Sequence, residues 1–370
     1  MEDKEKKLYP LKFAEDKRQM PWGEVNYKIA DLGSVDSMVW DGWLADNSLS
    51  ELMGTYMERV VGDDAFEYYG LQFPVLIKSF RTDSWQPLQV NVPDAEAEAR
   101  YDSLGKTALW YVLKADPDSE IHLGLKRDVA PEEFYRRCLD SNVTEVLNVV
   151  HPKTGDLFII EPGTVFAAGP GLTVVEISEC SEMTFNLQDP SDLTEAFDLI
   201  NFSKYTPAPD GFAPPATVAT LGHGRGGTAG EAGGGVCEAD VERRGIAAGA
   251  AGPNSIIIVE RNEFKVTKLD LQNPLHIFSD QPGSFAAYHC LSGAALIRQG
   301  TEDMDFTDVP IDAGEVVLVP SEVSDFFLFP AKEGTVLLET TVERRVDPDS
   351  YTGDTKPTED TPDPHLRNWN

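Results

Sequence analysis

The sequence is short of positive charge, of cysteine and of long apolar runs, and each shortage narrows the class of protein. Its 370 residues include 31 Lys and Arg against 63 Asp and Glu, a formal net charge of −32 at pH 7. A surface this acidic repels phosphate backbones and anionic lipid heads, which excludes a nucleic-acid partner and a membrane surface. A small anion is not excluded, because a pocket can hold a few basic groups inside an acidic shell.

The cysteines are too few and too far apart for a disulfide framework or a zinc ribbon. We expect free thiols in a reducing compartment at Cys138, Cys180, Cys237 and Cys290. No run approaches the roughly 18 apolar residues of a membrane span, and the charged start is not followed by the apolar segment of a signal peptide. These features predict a cytoplasmic protein.

Most of the chain is predicted to form short strands, which are rich in β-branched and aromatic residues and separated by Gly, Pro and Asp turns. In the first half these strands are 72–80, 88–92, 108–114, 157–160 and 172–177. Segments of the same composition are predicted as strands in the second half, at 255–260, 264–271, 286–297, 315–320, 325–329 and 335–342. Two β-rich blocks predict two sandwiches or barrels in one chain.

A few helices interrupt the first block, and we expect them to pack on it. Ser48 and Glu51 form a capping box before an apolar helical face that ends at Gly62. Pro131, followed by two glutamates, begins a second helix. A third helix is predicted from about 192 to 200.

Two segments have compositions that cannot build a core. Twelve of the 42 residues in 211–252 are Gly, so we interpret 204–253 as a linker or loop. The GxGxxG pattern at 222–227 lacks the preceding strand and following helix that a dinucleotide site needs. The segment 347–370 is acidic and rich in Pro and Thr, and we expect it to be disordered.

A series of short motifs runs through both blocks, at 8–13, 22–23, 37–42, 73–78, 105–111, 155–158, 163–167, 176–177 and 314–320. In their order and spacing they resemble the type I mannose-6-phosphate isomerases, the bicupin phosphomannose isomerases of bacteria. The resemblance implies an all-β-dominated fold of two cupin β-sandwich (jelly-roll) domains with a few helices packed on the first. It places an N-terminal cupin with its helical portion in 1–203 and a C-terminal cupin in 254–346.

The departures from this family concern its zinc site, where the metal acts as a Lewis acid in an aldose–ketose isomerisation. The resemblance implies a His, a Glu and a second His as ligands, and those positions hold Asn91, Ala108 and Phe166. The position of the family's Arg holds Asn186. An amide, a methyl group and a phenyl ring cannot replace the imidazole, thiolate or carboxylate that zinc needs. We therefore expect no cofactor, and zinc only if the ligand set has been relocated.

Polar side chains persist around the altered positions. Gln89 lies one strand step before the first lost ligand, and Glu176 is expected to face the same pocket. Lys106 either holds a phosphate or carboxylate as a point charge or is solvated at the start of a strand. A carboxylate with an amide would form only a weak cation site. The pocket candidates are Gln89, Asn91, Lys106, Phe166, Glu176 and Asn186.

Two functions remain open. The first is a mannose-6-phosphate isomerase-like protein of carbohydrate metabolism that has lost catalysis and binds a sugar, a sugar phosphate or a protein partner in a remodelled cupin pocket. The alternative is an active isomerase that interconverts mannose 6-phosphate and fructose 6-phosphate with a relocated metal site. Removing a zinc Lewis acid costs several kcal/mol in the transition state, and each ~1.4 kcal/mol is about tenfold in rate. The sequence therefore favours the first function.

Overall fold

The computed structural model describes residues 6–189, 191–202, 254–279, 283–300 and 306–342. The linker predicted at 204–253 and the acidic segment at 347–370 lie outside the described residues, as does Cys237. Cys138, Cys180 and Cys290 are free thiols. Among the described residues, no helix has the length and apolar character that crossing a membrane requires.

Strands dominate both blocks. The first block contains β1 (Leu11–Lys12), β2 (Asp16–Met20), β3 (Gly23–Ile29), β4 (Val75–Thr82), β5 (Gln89–Asn91), β6 (Ala108–Ala115), β7 (Ile121–Leu125), β8 (Leu147–Val150), β9 (Leu157–Ile160), β10 (Val165–Ala168), β11 (Leu172–Glu179) and β12 (Thr184–Asn186). The second contains β13 (Asn254–Glu260), β14 (Lys265–Leu271), β15 (Leu275–Phe278), β16 (Ala286–Ser292), β17 (Ala294–Gly300), β18 (Phe306–Asp312), β19 (Val316–Val319), β20 (Asp325–Pro330) and β21 (Thr335–Thr341).

Helices belong to the first block among the described residues. They are α1 (Leu49–Tyr56), α2 (Glu58–Val61), α3 (Asp63–Tyr69), α4 (Asp94–Tyr101), α5 (Pro131–Leu139) and α6 (Leu193–Leu199), with 3-10 turns at Gly42–Leu44 and Val143–Val146. The capping box at the start of α1 is present: Glu51 N donates to Ser48 Oγ, and Ser48 N donates to the Glu51 carboxylate at 2.9 Å.

The strands form two antiparallel sandwiches, which confirms the predicted fold class. In the first, the sheet β2-β3-β4-β11-β6-β9 faces the sheet β12-β5-β10-β7-β8. Their inner faces share one core, in which Phe80 and Trp110 from the first sheet meet Leu123 and Phe166 from the second. In the second sandwich, β1-β19-β16-β21-β14-β13 faces β15-β20-β17-β18. Alternating inward side chains fill each interior because successive strand residues point to opposite faces.

The two sandwiches pack against each other through a common cluster of buried apolar residues. Leu11 of β1 pairs with Leu318 of β19, so the beginning of the first block supplies an edge strand to the second. Leu49 and Leu52 of α1 join the same buried cluster as Phe264 and Phe285. The helix α1, which was expected to pack on the first block, therefore contacts the second block as well. This helix has apolar neighbours from both sandwiches, a contact between distant segments that its own periodicity does not report.

The predicted helix over 49–61 is broken into α1 and α2 at Met57, where φ is +47°. The break turns α2 so that Arg59 forms an ion pair with Glu322 of the second sandwich at 3.0 Å. Gly62 ends α2 as predicted, with φ of +93°. A Cβ at Gly62 would lie 2.4 Å from the Gly283 carbonyl oxygen, so the two blocks approach too closely there for any side chain.

Candidate functional site

A cavity of about 210 Å³ opens into the N-terminal sandwich. The sheet with β3, β4, β6 and β11 provides one wall, and the sheet with β5, β10 and β12 provides the other. The lining residues are Met20, Trp22, Val25, Tyr27, Leu32, Leu76, Lys78, Phe80, Gln86, Gln89, Asn91, Lys106, Ala108, Trp110, Phe166, Glu176, Ser181, Glu182 and Thr184. Met20 and Glu182 are exposed and mark the mouth.

Glu176 is the centre of a charged cluster on one wall. It lies opposite Lys78 on β4 and opposite Trp110 on β6, so the antiparallel register places the three side chains in one row. Glu176 Oε1 is 3.0 Å from Lys78 Nζ and 3.5 Å from Lys106 Nζ. Its second oxygen, Oε2, accepts a hydrogen bond of 3.0 Å from Trp110 Nε1. One carboxylate is thus held by two ammonium groups and one indole.

These charges are buried, and burial and mutual attraction set their pKa values. Burial alone would raise the pKa of Glu176, but Lys78 and Lys106 lower it to about 2. The pKa of Lys106 falls to about 8, first because burial disfavours its charge and then because Lys78 repels it. Burial opposes the charge of Lys78 too, yet Glu176 raises its pKa overall. At neutral pH the cluster therefore carries two positive charges and one negative charge.

Lys106 is held at this position by its backbone neighbours. Lys106 N donates to the Val92 carbonyl at 2.9 Å, and Thr107 N donates to Glu179 Oε2 at 2.8 Å. Thr107 Oγ1 also donates to Glu263 Oε1 of the second sandwich at 3.2 Å. The side chain of Lys106 is only 7% exposed. Of the two alternatives for Lys106, the solvated strand start is therefore wrong, and the residue is a pocket residue.

Asn91 presents a hydrogen-bond donor that the described residues leave unused. Its Oδ1 accepts a hydrogen bond of 2.8 Å from Thr184 Oγ1. Its Nδ2 is buried and has no hydrogen-bond partner among the described residues. Because a buried amide without a partner is costly, this group marks a place where an acceptor oxygen of a bound molecule would be stabilised.

Another part of the cavity lining is aromatic. The Phe166 ring packs edge-on against Trp110 at 5.5 Å between centroids, and Phe80 packs against the same indole at 5.2 Å. Trp22 continues the layer towards the mouth, 5.9 Å from Phe80. Together with the methyl group of Ala108 these rings form an apolar part of the lining beside the charged cluster, and Phe166 contributes to it from the opposite sheet.

Five of the six pocket candidates named from the sequence line this cavity, namely Gln89, Asn91, Lys106, Phe166 and Glu176. Asn186 does not line it. Its Oδ1 accepts a hydrogen bond from Gln188 N at 2.8 Å, which closes a turn after β12. The side chain is therefore committed to the loop.

Sequence reasoning did not single out Lys78 as a site residue. Its signal was available, because Lys78 directly follows three apolar residues at the start of β4 and is itself mostly buried. Trp110 and Gln86 were missed as well, since a tryptophan within a strand and a glutamine before one are compatible with many environments. Their roles depend on the partners that the sheets bring to them.

Asn91, Ala108 and Phe166, the positions that the family resemblance assigns to zinc ligands, all line the cavity. Their side chains supply an amide, a methyl group and a ring, which do not fit zinc. The nearest carboxylate, Glu176, is already paired with two ammonium groups. Within the described ranges, no three His, Cys, Asp or Glu side chains are grouped as a metal ion would need.

Comparisons with known proteins relate the chain to sugar-phosphate isomerases. It is 32% identical to the mannose-6-phosphate isomerase of Streptococcus mutans over 117 residues, which are 32% of this chain and 37% of that protein. It is 31% identical to the mannose-6-phosphate isomerase ManA of Bacillus subtilis over 154 residues, 41% of this chain and 47% of the relative. These alignments thus span less than half the length of the relatives. No protein-family model matches the chain.

Solved structures extend the likeness over most of the chain. The mannose 6-phosphate isomerase of Bacillus subtilis superimposes with a TM-score of 0.67 at 17% identity, covering 90% of this chain and 99% of that one. A putative mannosephosphate isomerase from Archaeoglobus fulgidus gives a TM-score of 0.64 at 18% identity, covering 90% and 97%. The chain is similar to mannose-6-phosphate isomerases in part of its sequence and in its fold. The family resemblance recognised in the motifs is thereby confirmed, and this isomerase relative shares the bicupin fold.

Proposed function

We propose that this mannose-6-phosphate isomerase relative binds a small organic anion in the N-terminal cupin and does not catalyse zinc-dependent isomerisation. The observation that carries the proposal is the Lys78–Glu176–Lys106 cluster, in a cavity whose metal-ligand positions hold Asn91, Ala108 and Phe166. The relatives bear the name of an enzyme that acts on a sugar phosphate, so sugar phosphates are one candidate class of anion.

The charge balance of the cluster favours an anion. Two ammonium groups offer six N–H donors, whereas Glu176 is a single counter-ion. The two lysines stand close together in a chain with a formal charge of −32, an arrangement that an incoming negative charge would stabilise. Glu182 also borders the cavity, but it is exposed at the mouth, where it accepts a hydrogen bond from Ser34 Oγ. Solvent screens its charge more than that of the buried groups.

The loss of isomerisation follows from the donors that remain. In a zinc-dependent isomerisation the metal stabilises the enediolate as a Lewis acid at the sugar oxygens. The wall where the family's ligands would stand is apolar at Ala108 and Phe166. An active isomerase would need a second ligand set, and Gln89 with Glu176 provides one amide and one carboxylate that is already paired.

A coupled isomerase assay on zinc-supplemented protein tests the catalytic half of the proposal. The unmodified chain is compared with a variant carrying Asn91→His, Ala108→Glu and Phe166→His. We expect no activity in the unmodified chain and measurable activity in the variant, because the three positions line one cavity. Turnover of the unmodified chain at an ordinary enzymatic rate would refute the proposal.

Titration calorimetry with inorganic phosphate tests the binding half. We expect the phosphate affinity to fall at least tenfold in Lys106→Met. The matched control is Lys114→Met, because the Lys114 side chain is 67% exposed and pairs with Asp116 outside the cavity. Equal phosphate affinity in the two variants would show that the cluster is not the binding site.

A further inference from the structure

The lining of the cavity has a charged part and an apolar part, and this combination restricts the kind of anion that fits. Lys78, Lys106 and the Nδ2 group of Asn91 supply hydrogen-bond donors. Phe80, Trp110 and Phe166 form a continuous layer of rings beside them, to which both sheets contribute. Resting on the proposed anion-binding function, we infer that the ligand is an amphipathic anion: a phosphate or carboxylate head joined to an aromatic or other compact apolar body.

The head group belongs at the charged cluster. A phosphate or carboxylate placed between Lys78 and Lys106 receives charge-assisted hydrogen bonds, which are stronger than neutral ones. It also supplies the acceptor oxygen that Asn91 Nδ2 lacks. Glu176 keeps its indole partner Trp110 and holds the two lysines in place, which leaves one net positive charge for the head.

The body belongs against the ring layer. A polyhydroxylated body in that place would bring hydroxyl groups against Phe166, Phe80 and Ala108, whose side chains offer no hydrogen bond in exchange for those of water. Gln89, the cross-strand neighbour of Phe166, could pair with only some of them. An apolar ring instead gains burial against Phe166 and Phe80 and can adopt the offset or edge-on contacts that aromatic pairs favour. The wall that excludes zinc ligands therefore also disfavours a sugar.

The size of the cavity agrees with a single ring and a head group. An apolar cavity of about 150 Å³ is enough to hold benzene, and this one is about 210 Å³. The charged head would lie towards Lys106. Trp22 and Met20 would lie over the outer edge of the ligand, since they line the cavity near its mouth.

Calorimetry on the intact chain with four probes tests the inference. Inorganic phosphate reports the head alone, phenyl phosphate adds a ring, mannose 6-phosphate adds a sugar, and phenylacetate replaces the phosphate by a carboxylate. We expect phenyl phosphate or phenylacetate, according to the preferred head, to bind at least tenfold more tightly than mannose 6-phosphate and inorganic phosphate. Tenfold corresponds to about 1.4 kcal/mol.

The possible failures are distinguishable. If neither ring compound binds more tightly than inorganic phosphate, or if mannose 6-phosphate binds as tightly as the tighter ring compound, the amphipathic ligand is refuted while anion binding stands. If none of the four probes binds, the proposed function itself fails.

Two core variants locate the ring. Phe166→Leu keeps an apolar side chain in the cavity but removes its ring, and we expect the affinity for the ring compound to fall three- to tenfold with the phosphate affinity unchanged. Phe158→Leu is the matched control, because Phe158 lies in the same core cluster but does not line the cavity. Equal losses in both variants would indicate a general effect on the core and would overturn the placement.

Discussion

Replacing Lys106 by Met should make the protein more stable and at the same time abolish anion binding. Lys106 is buried beside Lys78, and the Lys78–Glu176 contact at 3.0 Å is already a balanced pair without it. The unbranched Met side chain has a similar length and no charge, so it can fill the same space. The substitution removes the surplus buried positive charge and leaves the pair intact.

The magnitude follows from the pKa of Lys106, which is lowered from 10.5 to about 8. Each pH unit corresponds to about 1.4 kcal/mol, so the charged form costs the folded state about 3 kcal/mol. The unfolded chain keeps its proton up to about pH 10.5, whereas the folded chain releases it near pH 8. The cost is therefore present in full below pH 8 and is relieved as the pH rises from about 8 to 10.5.

Urea denaturation at pH 7 measures this effect. We expect the free energy of unfolding of Lys106→Met to exceed that of the unmodified chain by about 1–3 kcal/mol. The unmodified chain should also gain stability relative to the variant between pH 8 and 10.5. The exposed Lys114→Met control should change stability by no more than about 0.5 kcal/mol.

A loss of stability of more than about 1 kcal/mol in Lys106→Met would refute this reasoning. It would mean that Glu176 needs both lysines as partners and that Lys106 is part of the structural framework. The cluster would then be balanced without a ligand, and the case for an incoming anion would be lost.

Three further outcomes are expected. Glu176→Gln should lower the free energy of unfolding by about 3 kcal/mol, because it leaves two buried ammonium groups without a counter-ion. The control Glu182→Gln, at the exposed mouth, should change the free energy of unfolding little. Similar urea midpoints for the two variants would contradict this prediction. Elemental analysis should find far less than one zinc per chain, and a stoichiometric zinc that is lost on substitution of Gln89 or Glu176 would reveal a relocated site. The affinity for phenyl phosphate should fall up to tenfold per pH unit above about pH 8, because Lys106 loses its proton there while the second ionisation of the phosphate is already complete above about pH 7. Calorimetry across pH 7–10 measures this fall, and an affinity that does not change with pH would contradict the prediction.

Local sequence determined much of the fold because the relevant signals are short-range. The β-branched and aromatic runs predicted the strands of both sandwiches, and Ser48 with Glu51 predicted the start of α1. Some elements gave too weak a signal. The helix α4 buries only Ala97, so it has almost no apolar face by which it could be recognised. The short hairpin of β2 and β3 was missed for a similar reason, since four of the five β2 residues are charged or polar.

Part of the candidate site was also determined by the sequence. The residues Asn91, Ala108 and Phe166 cannot bind zinc in any conformation, because their side chains lack the required donors. That conclusion depends on chemistry alone. What those positions surround, and which groups face them, depends on strands that are distant in the chain.

Only the tertiary structure decided the electrostatics of the pocket. Lys106 and Lys78 are separated by 28 positions, and the sheet brings both to Glu176, 70 residues beyond Lys106. Burial and mutual repulsion then lower the pKa of Lys106, an effect that no single segment contains. Non-local pairing also lets β1 form an edge strand of the second sandwich. Side-chain identity fixed what this cavity cannot hold, and the register between distant strands fixed the charge it presents.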